Sequence, residues 1–193
     1  MIIIIDNYDS FTQNLVQYVG ESKLSIKILR NDEISLTNLI LLNPTHIILS
    51  PGPGNPSKSG ICLEILSKYA NRIPILGVCL GHQSIGYIYG AKIKQLDKPT
   101  HGKISHIFHD GKNIFKNISN PFIATRYHSL IIDNNHLPNQ LKITAWTKDG
   151  IIMGCQHKIY NNILGVQFHP ESLWTEEGKK IIKNFIYSDH KVK

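Results

Sequence analysis

The sequence predicts one α/β domain: a mostly parallel central sheet with helices on both faces, extended by some antiparallel strands. Three observations predict it. Apolar runs of strand length alternate with segments of helical period, Gly, Pro and Asn mark the transitions, and residues 92–168 replace that alternation with successive short β-like stretches. No linker, repeat or low-complexity tract interrupts residues 1–193, so a single domain accounts for the length.

The elements follow in order. Met1–Ile5 reads as a buried strand, since an all-apolar run suits a strand covered on both faces. Ser10 and Gln13 have capping-box spacing, which opens a helix that Gly20 can close. Ser25–Leu29 is a second strand, and Leu36–Leu42 a helix stopped before Pro44. His46–Ser50 is a third strand, followed by the turn-rich run 51–56. Ile61, Ile65, Leu66 and Tyr69 form one apolar helical face. Pro74–Val78 reads as a strand and Leu80–Tyr89 as the helix after it. Ile104–Phe108, Phe122–Thr125, Lys142–Thr147, Ile151–Gln156 and Ile163–Phe168 are the β-like stretches of the later region. Thr175 is expected to cap a last helix with Glu176 and Glu177 in its first turn and Ile181, Ile182, Phe185 and Ile186 facing inward.

Composition excludes several classes. Three cysteines make no disulfide framework, and the longest apolar runs fall far short of the roughly 18 residues a membrane span needs. Met1–Ile5 lacks a basic flank and leads straight into Asp6, so no targeting peptide is expected. The net charge of +7 and pI near 9.3 invite a nucleic-acid reading. Against it, only Arg30, Arg72 and Arg126 are arginines, and the lysines are scattered apart from Lys179-Lys180 and the Lys191/Lys193 tail. The basic charge reads as solvated surface in a chain rich in Ile, Lys and Asn, the usage of an AT-rich coding sequence.

The informative stretch is Gly77-Val78-Cys79-Leu80-Gly81-His82-Gln83. Its form, G-x-C-x-G between a predicted strand and a predicted helix, is the cysteine counterpart of a nucleophile elbow. A nucleophile on so sharp a turn is crowded by neighbouring chain, and glycines at 77 and 81 remove the Cβ atoms that would clash. Amides at a helix start carry partial positive charge, which favours a thiolate there, and the Leu80 N–H is placed to donate to an oxyanion. Cys62 and Cys155 have no glycines or turn around them and read as packing residues.

A cysteine nucleophile needs a base. Ile163–Phe168 delivers His169-Pro170-Glu171 at a strand end, and side chains two apart in extended chain share a side. Glu171 can then orient one imidazole nitrogen of His169 while the other faces the thiol. His82 either lines the site or packs beside it. His46, His101, His106, His109, His136, His157 and His190 read as surface or structural, and no histidine pair has metal-ligand spacing. Ser50–Pro56 also follows a parallel strand, so its glycines should expose backbone amides beside the elbow; no Gly-Lys-Ser/Thr follows to make it a phosphate loop.

Together, Ser50–Gly54, Gly77–Gln83 and the run Gly165-Val166-Gln167-Phe168-His169-Pro170-Glu171-Ser172 resemble the class I glutamine amidotransferases over almost the whole chain. Within that class, Asp6–Leu15 and Arg126-Tyr127-His128-Ser129-Leu130 look like the glutaminase components of anthranilate synthase and aminodeoxychorismate synthase. The resemblance implies that Cys79 attacks the glutamine amide, that His169 moves the proton and that Glu171 orients it. It implies oxyanion donors at Leu80 and Gly52, and glutamine held by Gly52, Pro53, Gly54, Gln83, Ser129 and Leu130. It implies ammonia passed to a partner, the large chorismate-binding synthase subunit. Any magnesium would sit on that partner, with no cofactor or metal on this chain. The reaction would belong to tryptophan biosynthesis, or to folate biosynthesis, or to both. The setting would be a plastid stroma or a bacterial cytoplasm.

Overall fold

A computed structural model of the chain describes residues 1–188, those at 97–101 through the backbone alone. His190 and the Lys191/Lys193 tail lie outside the described residues, as does the side chain of His101. Among the described residues, nine strands and five α-helices follow in chain order: β1 (Ile2–Asp6), α1 (Thr12–Gly20), β2 (Ile26–Arg30), α2 (Leu36–Leu41), β3 (His46–Leu49), α3 (Ile61–Lys68), β4 (Ile75–Val78), α4 (Leu80–Ile88), β5 (Ile93–His109), β6 (Phe122–Ile132), β7 (Leu141–Thr147), β8 (Ile152–His157), β9 (Ile163–Val166) and α5 (Gly178–Tyr187).

They build one sheet in the order β2-β1-β3-β4-β9-β8-β7-β5-β6. The first five are parallel; β8, β7, β5 and β6 extend the sheet by antiparallel pairing. The isoleucine run explains the layering. Ile2 and Ile4 face a core shared with α1 and α5, whereas Ile3 and Ile5 face one shared with α2, α3 and α4. All four are fully buried, each contributing about 1.5–3 kcal/mol by the usual transfer values.

The pairing of β4 with β9 sets the function. Gly77 lies beside Gly165 and Val78 beside Val166, so the residues leaving both strands emerge at the same carboxyl edge. A segment almost ninety residues downstream of the elbow thereby arrives next to it.

Three local expectations are corrected. Ser10 does not cap α1: Phe11 occupies the N-cap without a side-chain bond, and the turn is tied instead by Asp9 Oδ2 accepting from Phe11 N and Asp6 Oδ1 accepting from Thr12 Oγ1. Thr175 does not cap α5, which starts three residues later with Glu177 at its N-cap and no acid in its first turn. Its hydroxyl is used elsewhere, as described below. Phe122–Thr125 and Arg126–Leu130 belong to the single long strand β6, paired with β5 across two register shifts. The short apolar signals at 104–108 and 122–125 understated both strands because the intervening polar residues face solvent or the site.

Candidate functional site

Cys79 stands between β4 and α4 with φ 50° and ψ −97°, a left-handed conformation that non-glycine residues avoid. The surrounding chain holds it there. Its N–H donates to Val166 O at 2.9 Å, and its carbonyl accepts from Gln83 N at 3.0 Å. A Cβ on Gly77 would lie 2.4 Å from the Gly81 carbonyl carbon, and one on Gly81 would lie 2.5 Å from Leu49 O. The crowding expected of the elbow is therefore present, and both glycines answer it. Leu80 begins α4, so its N–H belongs to the first-turn donors that have no acceptor within the helix.

The thiol is not sealed away. Cys79 lines a cavity of about 140 Å³ with Gly52, Pro53, Gly54, Gln83, Tyr127, His128, Ser129 and Leu130. The space is on the scale of one amino acid. Every residue expected to hold glutamine is in that lining; Tyr127 and His128 are additions.

His169 is 3% exposed and Glu171 fully buried. Glu171 Oε1 lies 2.6 Å from His169 Nδ1, the short distance of a charge-assisted bond. Burial is the largest influence on the imidazole and opposes its charge. The charges of Cys79 and Glu171 outweigh it and hold the His169 pKa well above 6.5. Glu171 occupies Nδ1, so the contact by which Cys79 raises the imidazole falls on Nε2, which makes no other hydrogen bond among the described residues and is free to exchange a proton with the thiol.

The base is positioned from several directions. His169 N donates to Thr125 O at 3.1 Å, and Thr175 Oγ1 donates to His169 O at 2.7 Å. The ring meets Tyr127 edge-on at 5.2 Å and Phe11 at 6.0 Å, while Phe11 and Tyr127 stack on each other. At the start of α5, Gly178 has no room for a side chain: its Cβ would sit 1.8 Å from Pro170 O.

The Asp6–Leu15 stretch also acquires a physical role. Asn7 N donates to Ser50 Oγ at 2.9 Å, and Asn7 Nδ2 donates to Ser50 O at 2.8 Å. Asn31 Nδ2 and the Cys62 thiol both donate to Asn7 Oδ1. This clamp fixes the Pro51–Pro56 loop, and Gly52 passes so close that a Cβ there would meet Asn7 at 2.5 Å and Leu80 at 3.0 Å. Gly52 therefore packs directly against the Leu80 side chain.

Sequence reasoning missed Gln167. Its Nε2 donates to Cys79 Sγ at 3.5 Å, and its Oε1 accepts from Gln83 Nε2 at 3.1 Å. Gln83 Nε2 also donates to Leu130 O at 2.9 Å, so only Gln83 Oε1 is left to face the cavity. A signal was present, because Gln167 stands two residues before His169 at the end of the apolar run 163–168. Phe11, Asn7 and Tyr127 carried none that periodicity could read, since their partners are distant in sequence.

The remaining histidines and cysteines sort by burial. His82 is fully buried against Cys155, 3.4 Å from its sulfur, and packs behind the site rather than lining it; burial brings its pKa down to about 3. Cys62 and Cys155 are buried packing residues whose thiols burial pushes up to about 12. His106 lines a separate cavity, and His46 rests on Phe185. His109 and His157 are buried beside aromatic rings, and His136 bonds to Asp133. Among the described residues, no three His, Cys, Asp or Glu side chains are grouped to hold a metal, and no helix is long and apolar enough to cross a membrane.

Comparison with known proteins shows the family and the fold. A family profile described as "Glutamine amidotransferase class-I" matches residues 3–188. Anthranilate synthase component 2 of Porphyra purpurea is 58% identical over 98% of this chain and 100% of its own length. The aminodeoxychorismate/anthranilate synthase component 2 of Bacillus subtilis is 50% identical over 96% of this chain and 95% of its own. Among solved structures, a putative GMP synthase subunit from Thermoplasma acidophilum superposes with a TM-score of 0.80 at 27% identity, covering 96% of this chain and 91% of that one.

Proposed function

The chain belongs to the class I glutamine amidotransferases, and from that membership we propose that it is the glutaminase subunit of an anthranilate synthase. The observation that carries the chemistry is the buried His169–Glu171 pair acting on Cys79, which itself lines a cavity, with Gly52 beside Leu80. The high identity to a relative named anthranilate synthase component 2, over 98% of this chain and the whole of that one, supports the specific assignment.

Cys79 Sγ, its proton held on His169 Nε2 as the raised imidazole pKa favours, adds to the carboxamide carbon of glutamine. Negative charge gathers on the amide oxygen and is met by the N–H groups of Leu80 and Gly52. The C–N bond then breaks, the imidazolium gives its proton to the departing nitrogen, and ammonia leaves a γ-glutamyl thioester on Cys79. Water, deprotonated by His169, attacks the thioester and releases glutamate and the free thiol. Glu171 holds Nδ1–H throughout and stabilises the imidazolium without itself taking the proton. Gly52, Pro53, Gly54, Gln83, Ser129 and Leu130 hold the substrate. No step calls on a metal or cofactor of this chain.

The ammonia passes to a chorismate-using synthase subunit, where magnesium belongs. Beside the base, Leu173 and Trp174 are 86% and 68% exposed, an apolar surface suited to a partner covering the site. The B. subtilis relative, named for both aminodeoxychorismate and anthranilate synthase, supports a second reading in which the same chain also serves the folate pathway. Relatives in a red alga and in bacteria support a plastid stroma or bacterial cytoplasm as the setting.

The test is reconstitution with each candidate synthase subunit. The wild type should make anthranilate from glutamine, whereas Cys79→Ala should make it only from ammonia. Glutamine-dependent product from Cys79→Ala would refute the chemistry; aminodeoxychorismate as sole product would redirect the pathway.

A further inference from the structure

Arg126 is the buried charge that the glutaminase chemistry leaves unused. It is 7% exposed, yet no carboxylate among the described residues lies within ion-pair distance of it. Nε donates to His128 Nε2 at 3.1 Å and Nη1 to Ser105 Oγ at 3.2 Å, while Nη2 makes no hydrogen bond among the described residues. Asp149 acts on it only through its field. Arg126 opens onto a cavity rather than being sealed in the core, and a guanidinium so enclosed without a counter-ion points to an anion arriving there.

The place for it exists. A cavity of about 320 Å³ between β5, β6 and the β7–β8 turn is lined by Ser105, His106, Arg126, Lys148 and Asp149, with apolar walls from Phe108 and Pro121. Arg126 and Lys148 outnumber the one acid. The planar fork suits a carboxylate, and the lining shows neither the glycine nest nor the helix N-terminus that would favour a multiply charged phosphate.

Arg126 is also the far end of a chain of hydrogen bonds that reaches the nucleophile. It makes His128 Nε2 an acceptor, so the proton of neutral His128 sits on Nδ1 and is donated to Leu130 O at 3.1 Å. Leu130 O also accepts from Gln83 Nε2, which donates to Gln167 Oε1, and Gln167 Nε2 donates to Cys79 Sγ.

We propose that this cavity is a carboxylate-binding site anchored by Arg126, and that its occupancy is felt at Cys79 through His128. The binding half stands on Arg126 and the cavity; the coupling half rests on the glutaminase reading. A carboxylate can come from an acidic side chain of the synthase subunit or from a small free acid, and the experiment separates the two.

The ring nitrogens of His128 report occupancy in chain labelled with ¹⁵N-histidine. One arm titrates sodium acetate against sodium chloride at constant ionic strength; the other adds the large synthase partner. A free acid as ligand predicts a saturable acetate shift in the wild type, absent in Arg126→Met and partly kept in Arg126→Lys. A side chain as ligand predicts no acetate shift but a shift on adding the synthase, with Arg126→Met weakening the complex tenfold or more. In either case Asp149→Asn, at an exposed turn, removes the competing acid and should tighten binding two- to threefold. Arg126→Met should also raise the KM for glutamine several-fold with kcat less affected. If Arg126→Met fails to fold, the wild-type and Asp149→Asn arms still decide. The proposal is overturned if neither acetate nor synthase moves the His128 signals, or if the shifts are the same in Arg126→Met. A chain that binds acetate at Arg126 but never hydrolyses glutamine would keep the site and dismiss the glutaminase reading.

Discussion

Gly178→Ala probes the positioning of the base from outside the chemistry. Gly178 touches no residue of the cavity, and its only demand is space: a Cβ there would lie 1.8 Å from Pro170 O, where real contacts are at least 3.0 Å. The 169–171 segment, the start of α5, or both must therefore yield by 1.2 Å in total. The segment cannot move alone, because His169 is bonded at both its N–H and its carbonyl and its ring abuts the stacked Tyr127 and Phe11 edge-on. Overpacking of this kind costs about 1–3 kcal/mol of stability. A displacement near 1 Å at a reacting group costs on the order of 100-fold in turnover. Glutaminase kcat in the assembled enzyme should fall by about that factor, with the melting temperature lowered but the protein folded. Gly20→Ala is the control: its Cβ would make only an ordinary 3.9 Å contact in a helix, and stability should hold or rise by up to about 1 kcal/mol. Full turnover and an unchanged melting temperature in Gly178→Ala would refute the reasoning.

Other outcomes follow from the same geometry. His169→Ala should abolish glutamine turnover, whereas Glu171→Ala, which removes the orienting group but not the base, should retain a measurable fraction; equal and total loss would contradict that division of roles. Gly81→Ala should yield unfolded or insoluble protein, since the added carbon would sit 2.5 Å from Leu49 O in the sheet core, and a stable active variant would disprove the packing argument. Folding stability should drop between pH 7 and 5. His82 and His128 stay neutral in the folded protein with pKa values near 3, lowered by burial and, at His128, also by Arg126. The unfolded chain protonates them from about pH 6.5 downward, so each costs about 2 kcal/mol by pH 5. The raised pKa of His169 does not offset this, because its contribution is already complete below pH 6.5 and fades only as pH rises through the folded value. Urea unfolding free energies equal at pH 7 and 5 would count against both assignments.

Much of the site was legible because its signals are local. The elbow needs glycines two residues either side of Cys79, and the base and its orienter stand two apart, although β9 ends at Val166 and the pair meets within a turn closed by Ser172 N donating to His169 O rather than in the extended chain expected. The parallel half of the sheet was legible for a similar reason, since uninterrupted isoleucines at 2–5 leave few alternatives to a doubly covered strand. Contacts closed by tertiary structure were not legible. Thr175 has the residue type and spacing of a helix cap, but its hydroxyl is claimed by His169 O, which no local pattern encodes. Ser10 lost its capping role because Asp6 and Asp9 tie the same turn more tightly. Asn7 as a clamp on the Gly52 loop depends on β1 and β3 lying side by side, a fact of topology.

Catalysis turns on a single thiol attacking glutamine. Peptide mass mapping of the assembled enzyme, acid-quenched during glutamine turnover, tests it most directly. A γ-glutamyl adduct on Cys79, with Cys62 and Cys155 unmodified, is the predicted result. An adduct on either buried cysteine, or none on Cys79 in a sample that is releasing ammonia, would contradict it.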